Sequence, residues 1–597
     1  MSDPVKLHLL TSEGASDITP ESGASGWKLS QWMRTRGHPL NTRCGGRGLC
    51  DACQIDLVSG TLQRFDTGER VTVSPGEKAV RLRSCEHALV EGESASISVP
   101  DKSLMSFEPQ VIADFRLEVP IGKAPLWPAA DEPPSNADRP AAGPPLAAAI
   151  DVGTTTVALL LIDLDSGAVL ARSSAFNKQT HLGEDVLTRI NLCMNEAGLV
   201  DRFQEAIVNE TLAPLLTEAL AEAEAFPEQV VCLVAAGNAT MLHLLVAEDP
   251  SSMGVAPFTA RFLRHRVERL SSTDFRWPSK QDAVSGNGRA GPAPQPAKRD
   301  PALHLLPGAA AYVGADLTAG IVATGIRYHP GSVLLVDVGT TGEILLKHGD
   351  QLLGCATAAG PAFEGSKLCN GVRAARGAIS HIDVIGIDPL AIQTEIIGET
   401  LPAGPDAPAR PTPRLKPIGI CGSAYIDFLA EGVRTGLLQR VGRFDADLAG
   451  DRLIDAACHS KCFRVAEGSG KEPICITEAD VASLLQAKAA IAAGIVTLLG
   501  RVGLKPEEVD TLYLAGGFGL HVRIPSAIGS GLLPGFREDQ VELVGNTSLA
   551  GAFMAAMDRT VLDEMQVAAD GVELVELNLD PDFEVNYIDQ LTLPEPV

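Results

Sequence analysis

IDVGTTT (150–156) and VDVGTTG (336–342) are one element written twice, 186 residues apart. Each copy is flanked by apolar runs, LAAAI before the first and VLLV before the second, so each reads as strand, glycine turn, strand. An aspartate, Asp151 or Asp337, stands at the strand end beside a glycine. Gly153 and Gly339 let successive N–H groups wrap phosphate oxygens, and Thr154, Thr155, Thr340 and Thr341 add hydroxyl donors. A carboxylate does not favourably face phosphate by itself. Asp151 and Asp337 make sense as ligands, direct or through water, of a Mg²⁺ between them and the phosphates. One such turn is ordinary, since Asp and Gly are common turn residues. Two copies in equivalent strand contexts imply a doubled βαβ-type unit, with two similar lobes facing a cleft.

A third element, LAGGFG (514–519), follows a buried strand. Gly516 and Gly517 would let a flat adenosine lie against the backbone; equally, they suit a tight turn into a helix. Together the three elements resemble the actin, sugar-kinase and heat-shock-ATPase superfamily over roughly residues 146–560. The resemblance implies an α/β two-lobed actin-like ATPase domain with duplicated ribonuclease-H-like halves. It also implies bound ATP and Mg²⁺, with Asp151 and Asp337 as the catalytic and metal-holding carboxylates.

The twelve cysteines are unevenly placed. Cys44, Cys50, Cys53 and Cys85 fall in the first sixth of the chain, and the other eight run from Cys193 to Cys475. Three of the first four come from one loop, CGGRGLCDAC, and the fourth is distant. A plant-type 2Fe–2S site has this plan, with a first gap of four where this chain has five. The wider gap is similar to that of vertebrate-type and putidaredoxin-type ferredoxins. Gly45, Gly46, Gly48 and Ala52 allow backbone N–H groups to approach inorganic sulfide. Zinc is the competing reading, but it prefers paired knuckles, and Cys85 lacks a close partner in sequence. Cys458, His459, Cys462 and Cys475 lack a fourth ligand at good spacing, and Cys355, Cys369 and Cys421 read as packing.

Residues 1–103 therefore read as a 2Fe–2S module, an α+β ferredoxin-like (β-grasp) domain. Residues 104–145 are rich in Pro and Ala and read as an extended linker on which that module swings. The first lobe runs over 146–330 with a surface insertion at 271–302, and the second over 331–597. A further Pro-rich loop spans 401–414, and the tail 572–597 is acidic with strand-like stretches.

The net charge of −26 disfavours nucleic acid as a partner. No apolar run approaches the ~20 residues that span a bilayer. With no signal-peptide pattern at the start, the expected location is cytoplasmic.

A 2Fe–2S module followed by this ATPase fold resembles the reductive activators of corrinoid-dependent methyltransferases. Further stretches carry the likeness, among them AGNATMLHLL (236–245), GVAPF (254–258), LPGAAAYVGADLTAGI (306–321), KPIGICGSAYID (416–427) and GNTSLAGA (545–552). The resemblance implies ATP-dependent, one-electron reduction of a corrinoid from Co(II) to Co(I). The partners would be a corrinoid protein and an upstream low-potential reductant, with the chain a monomer or homodimer. An electron-transfer protein with a nucleotide-sensing, non-hydrolysing domain is the alternative.

Two departures stand out. The family's Gly-Ser-Gly turn is here Gly422-Ser423-Ala424. Some members carry a middle domain between linker and ATPase, and the roughly 40 residues separating the modules here point to its absence. Ser423 is read as a phosphate donor at a helix start or as a plain N-cap. Asn238 and Thr240 read as caps, and His243 as a satisfied core histidine. Glu343 and Glu364 are candidate contacts for nucleotide or partner.

Overall fold

Period-two burial sets the first module. The computed structural model describes residues 6–11, 14–19, 26–35, 40, 53–99, 124–127, 139–140, 143–183, 185–277, 300–365, 368–372, 377–399, 416–455, 461–468, 473–516 and 522–595. Near the N-terminus lie β1 (Leu7–Thr11), β2 (Gly14–Ile18), β3 (Gln54–Arg64), β4 (Arg70–Val73), β5 (Val80–Arg83), β6 (His87–Leu89) and β7 (Ala95–Ser98). They form one mixed sheet in the order β2-β1-β7-β3-β4, with β5 and β6 also paired to β3. Ile55 and Leu57 of β3 point to the same face and meet Leu7, Leu9 and Ile97. The helix Leu29–Thr35 closes that core with Leu29, Trp32 and Met33.

The duplicated turns each sit between the central strands of a larger sheet. In the first lobe these are β8 (Leu146–Val152), β9 (Thr156–Asp163), β10 (Val169–Phe176), β11 (Val230–Ala236), β12 (Arg266–Arg269) and β13 (Ala302–Leu305). The second lobe begins with β14 (Val333–Val338), β15 (Gly342–His348) and β16 (Gln351–Thr357). Two small sheets follow: β17 (Ala378–Ile387), β18 (Leu390–Ile396) and β19 (Gly419–Ile420), then β20 (Leu453–Asp455), β21 (Lys461–Glu467) and β22 (Pro473–Thr477). The large sheet resumes with β23 (Thr511–Ala515), β24 (Val541–Gly545) and β25 (Val572–Leu574).

The orders are β10-β9-β8-β11-β13-β12 and β24-β23-β14-β15-β16-β25. Both lobes therefore run two antiparallel hairpins off a central strand, with β11 parallel to β8 and β23 parallel to β14 on the other side. The duplication expected from the two turns extends to the whole five-strand frame. β8 and β14 are apolar on both faces because helices cover both sides.

Between the sheets cross two short apolar helices, Ala315–Thr324 and Thr547–Met557. Their approach is set by glycine. A Cβ on Gly551 would meet the Ala319 Cβ at 2.4 Å, and one on Gly320 would meet the Thr547 Oγ1 at 3.0 Å. The 24-residue helix Glu478–Arg501 is capped by Thr477 and Asp480 in a reciprocal box. It is long and apolar enough to cross a membrane, but it is a core helix of the second lobe.

Two expectations change. The tail gives only a three-residue strand, β25, and then the helix Phe583–Gln590. That helix lies on Glu478–Arg501, where Asn586 Nδ2 donates to Thr497 Oγ1 at 2.9 Å. The linker is also tied down midway. Leu126 N–H donates to the Ala556 carbonyl, and Arg559 donates to the carbonyls of Ala124 and Pro125. Leu126 and Trp127 pack on the first-lobe core, so the tether to the first module ends at Ala124 rather than at residue 145.

Candidate functional site

Asp151 is the penultimate residue of β8, opposite Ala236 at the end of β11, and Asp337 is the penultimate residue of β14, opposite Ala515 at the end of β23. The next residues are Gly237 and Gly516, with φ of +153° and +99°. A Cβ on Gly237 would sit 2.7 Å from the Val152 carbonyl oxygen, and one on Gly516 would sit 2.4 Å from that of Val338. Each lobe thus needs a glycine there so that the parallel strand can turn away close beneath the Asp-bearing one. This second repeated feature, Ala-Gly at the ends of β11 and β23, escaped the sequence reading of 514–519 as an isolated element.

The two turns meet. Thr155 Oγ1 and Thr340 Oγ1 are 2.8 Å apart, hydroxyl to hydroxyl across the lobes. Around them lies a cavity of about 510 Å³. Its walls include Asp151, Gly153, Thr154 and Thr155 from one lobe, and Asp337, Gly339, Thr340, Thr341, Glu343 and Gly516 from the other. Gly422 and Ser423, at the start of the helix Gly422–Thr435, also face it. Cys421 is the N-cap, so Ser423 is not one; its hydroxyl donates to the Ser380 carbonyl at 2.8 Å. Ala424, the departure from Gly-Ser-Gly, is wholly buried.

Sequence reasoning missed three residues here. Asp316 stands at the second position of the helix Ala315–Thr324 and lines the cavity. Asn546 and Ser548 stand at the cap and second position of Thr547–Met557. They donate to the two Asp151 oxygens at 2.7 and 2.8 Å. Asp316 and Ser548 occupy equivalent positions on the two crossing helices. Asn238 caps its helix, as expected, by accepting from Met241 N–H, but its Nδ2 also donates to Thr154 Oγ1 at 3.0 Å. His243 is the satisfied core histidine expected, donating to the Ala239 carbonyl and accepting from Arg261 N–H.

Four carboxyl groups consequently crowd one end of the cleft. Burial raises Asp151, while the Asn546 and Ser548 donors oppose it. Burial and the nearby Asp151 charge take Asp316 up to about 7. Burial, then Asp316 and Asp151, take Asp337 up to about 8. Glu343, which accepts from the Thr341 hydroxyl, is pushed well above its ordinary value by burial and by Asp316 and Asp337. Like charges in a poorly solvated site favour protonation or a hard cation. An all-oxygen donor set beneath anion-binding turns fits Mg²⁺.

In the N-terminal module, the Cys53 and Cys85 sulfurs lie 3.3 Å apart and both residues are buried. Ser84 joins the two segments: its N–H and hydroxyl both donate to the Cys53 carbonyl, at 3.1 and 3.0 Å. Converging soft sulfur donors fit an iron–sulfur cluster. Cys44, Cys50, Gly517, Cys458 and His459 lie outside the described residues, as does the Glu364 side chain. Cys355 and Cys421 are buried as expected, whereas Cys369 is exposed.

Fold and cleft define the class: the second lobe matches the family model described as the C-terminal domain of RACo, the ASKHA domain, over residues 331–596. The model of the RACo middle region matches residues 146–284. That match corrects the expectation of a missing middle domain, for the region so described coincides with most of the first lobe. The corrinoid activation enzyme RamQ of Eubacterium limosum is 28% identical, with 96% of each chain covered. A [Co(II) methylated amine-specific corrinoid protein] reductase of Methanosarcina barkeri is 30% identical over 42% of this chain and 44% of that protein. A solved reductive activator for corrinoid, iron–sulfur protein superposes with a TM-score of 0.71 at 25% identity, covering 99% of this chain and 98% of that one. Both lobes thus match models of RACo regions, and the chain is similar over nearly its whole length to reductive activators of corrinoid proteins.

Proposed function

We propose that the chain couples ATP to reductive activation of a corrinoid protein, delivering one electron that takes Co(II) to Co(I) in support of a methyltransferase or demethylase system. The observation that carries this reading is the cleft, where Asp151, Asp316, Asp337 and Glu343 lie beneath two glycine turns joined by Thr155 and Thr340. Backbone N–H groups and hydroxyls of Gly153–Thr155 and Gly339–Thr341 bind phosphate oxygens. Gly516 and Gly517 make room for adenosine, and the backbone N–H of Ser423 adds a donor at a helix N-terminus. Asp151 and Asp337 would hold Mg²⁺, with Asp316 and Glu343 beside them. When bound, the ion neutralises phosphate charge and polarises the terminal phosphoryl group.

Cys44, Cys50, Cys53 and Cys85 would hold a 2Fe–2S cluster. When bound, it supplies single electrons near the plant-type potential of about −400 mV. At that potential the Co(II) to Co(I) step is unfavourable. ATP-driven change between lobe arrangements shifts it through differential affinity for the partner's two redox states. An upstream low-potential donor and a cytoplasmic setting complete the reading.

The test is anaerobic optical spectroscopy of the Co(II) corrinoid protein from the same organism, mixed with this chain and a reductant. Co(I) should form with Mg-ATP and stay near baseline without it. Equal Co(I) yields with and without ATP would overturn the coupling.

A further inference from the structure

Arg189 is the largest fully buried side chain among the described residues. It rises from the helix Val186–Asn195 and ends behind the first phosphate turn, outside the cavity wall. Nη2 donates to the Thr154 carbonyl at 2.6 Å, and Nη1 donates to Gln179 Oε1 and the Met241 sulfur at 2.8 Å each. Nε donates to the Gly183 carbonyl at 2.9 Å. Beside it, Asn177 Nδ2 donates to the Gly153 carbonyl at 2.9 Å. Two consecutive carbonyls of the turn are therefore held from the rear. In a trans peptide the N–H points opposite to the carbonyl. Pinning the Gly153 and Thr154 oxygens backwards aims the Thr154 and Thr155 N–H groups forwards, into the cleft.

The charge is as informative as the geometry. Every acceptor on the guanidinium among the described residues is neutral: two backbone carbonyls, an amide oxygen and a thioether. No ion pair to Arg189 occurs among the described residues. Burial pulls its pKa down to about 9, with only the Asp185 charge opposing. A buried cation without a carboxylate is costly. An anion on the far side of the turn would offset that cost.

We propose that Arg189 is a positioning residue for polyphosphate, aiming the first turn's N–H donors and adding a positive charge behind them. This rests on the cleft being a nucleotide site. A mere strut for the helix Val186–Asn195 would affect folding but not discriminate between ligands by phosphate number.

The experiment measures binding of Mg-ATP, Mg-ADP and adenosine to the full chain by calorimetry at fixed ionic strength. Arg189→Met should weaken Mg-ATP by about tenfold or more, Mg-ADP less, and adenosine not at all. Arg189→Lys should recover part of the loss, because it restores charge without the planar fork. Met241→Glu leaves Arg189 in place and sets a carboxylate against Nη1, so it should weaken Mg-ATP in the same graded way. It decides the matter should Arg189→Met not fold. Equal losses for all three ligands, or none in folded variants, overturn the positioning role. Wild type that fails to bind Mg-ATP overturns the nucleotide reading itself, and this inference falls with it.

Discussion

Asp337 lines the cleft, and its environment makes a signed statement about pH. Its carboxyl is taken up to about 8, and that of Asp316 up to about 7, in the metal-free protein. The folded state holds protons that the unfolded chain has already released above its ordinary carboxylate range. The resulting stability is fully present below that range and is lost as pH climbs through about 7 to 8. Histidines such as His304, lowered to about 4 by burial, act with the opposite sign at lower pH. The clean window is therefore pH 6.5 to 8. Over it, the melting temperature of metal-free protein should fall, by on the order of 1–2 kcal/mol in stability. Asp337→Asn should make the slope shallower, and Mg²⁺ should flatten it. A slope untouched by both would assign the titration elsewhere.

At this scale the sequence told half the story. Asp151 and Asp337 announced themselves because their heptapeptides are nearly identical. Asp316, Asn546 and Ser548 did not, because the two helix starts that carry them, GADLT and NTSLA, have diverged beyond recognition. Only their shared place in the first turn of a crossing helix relates Asp316 and Ser548.

Among elements, the crossing helices bear most directly on the site. Asp316 and Ser548 sit one turn or less from where Ala315–Thr324 and Thr547–Met557 touch. Anything that spreads the helices moves both side chains. A larger residue at Gly551 would strike the Ala319 backbone as well as its side chain, so the contact cannot relax by a rotamer change. Gly551→Val should destabilise by about 1–3 kcal/mol through overpacking. In the protein that remains folded, Mg-ATP affinity should drop, because the Ser548–Asp151 bond is lost with the crossing. Thermal unfolding and nucleotide titration together check this; full stability with full affinity would show the crossing to be compliant. Apolar runs made the central strands of both lobes readable in advance. The tail was misread as strand because Phe583–Gln590 gains its helical state from packing on Glu478–Arg501, which no local pattern reports.

For the whole molecule, the Pro/Ala-rich composition led to the reading of 104–145 as a linker but could not say where that stretch is fastened. Arg559 and the end of Thr547–Met557 hold Ala124–Trp127 against the first lobe. About twenty residues, 104–123, are left between that anchor and the N-terminal module. At ~3.3–3.6 Å per residue their greatest span is roughly 70 Å. Removing ten residues from this stretch should slow Co(I) formation while leaving Mg-ATP affinity unchanged, as read by stopped-flow absorbance beside calorimetry. Undiminished electron delivery would mean that the module does not travel.

The two lobes share a strand order, a turn and a glycine, yet their polar fittings differ. Thr154 is engaged by Asn238, whereas its counterpart Thr340 reaches across to Thr155. Thr341 is engaged by Glu343, whose counterpart in the first lobe is the apolar Val157. Where the first lobe has Asn238 after its glycine, the second has Gly517. A frame made of two like halves offers an elongated, unsymmetrical guest two opposite ways to lie. These mismatched side chains remove the degeneracy by giving the two halves different polar contacts. Duplication built the berth, and divergence of its polar fittings gave it a bow and a stern.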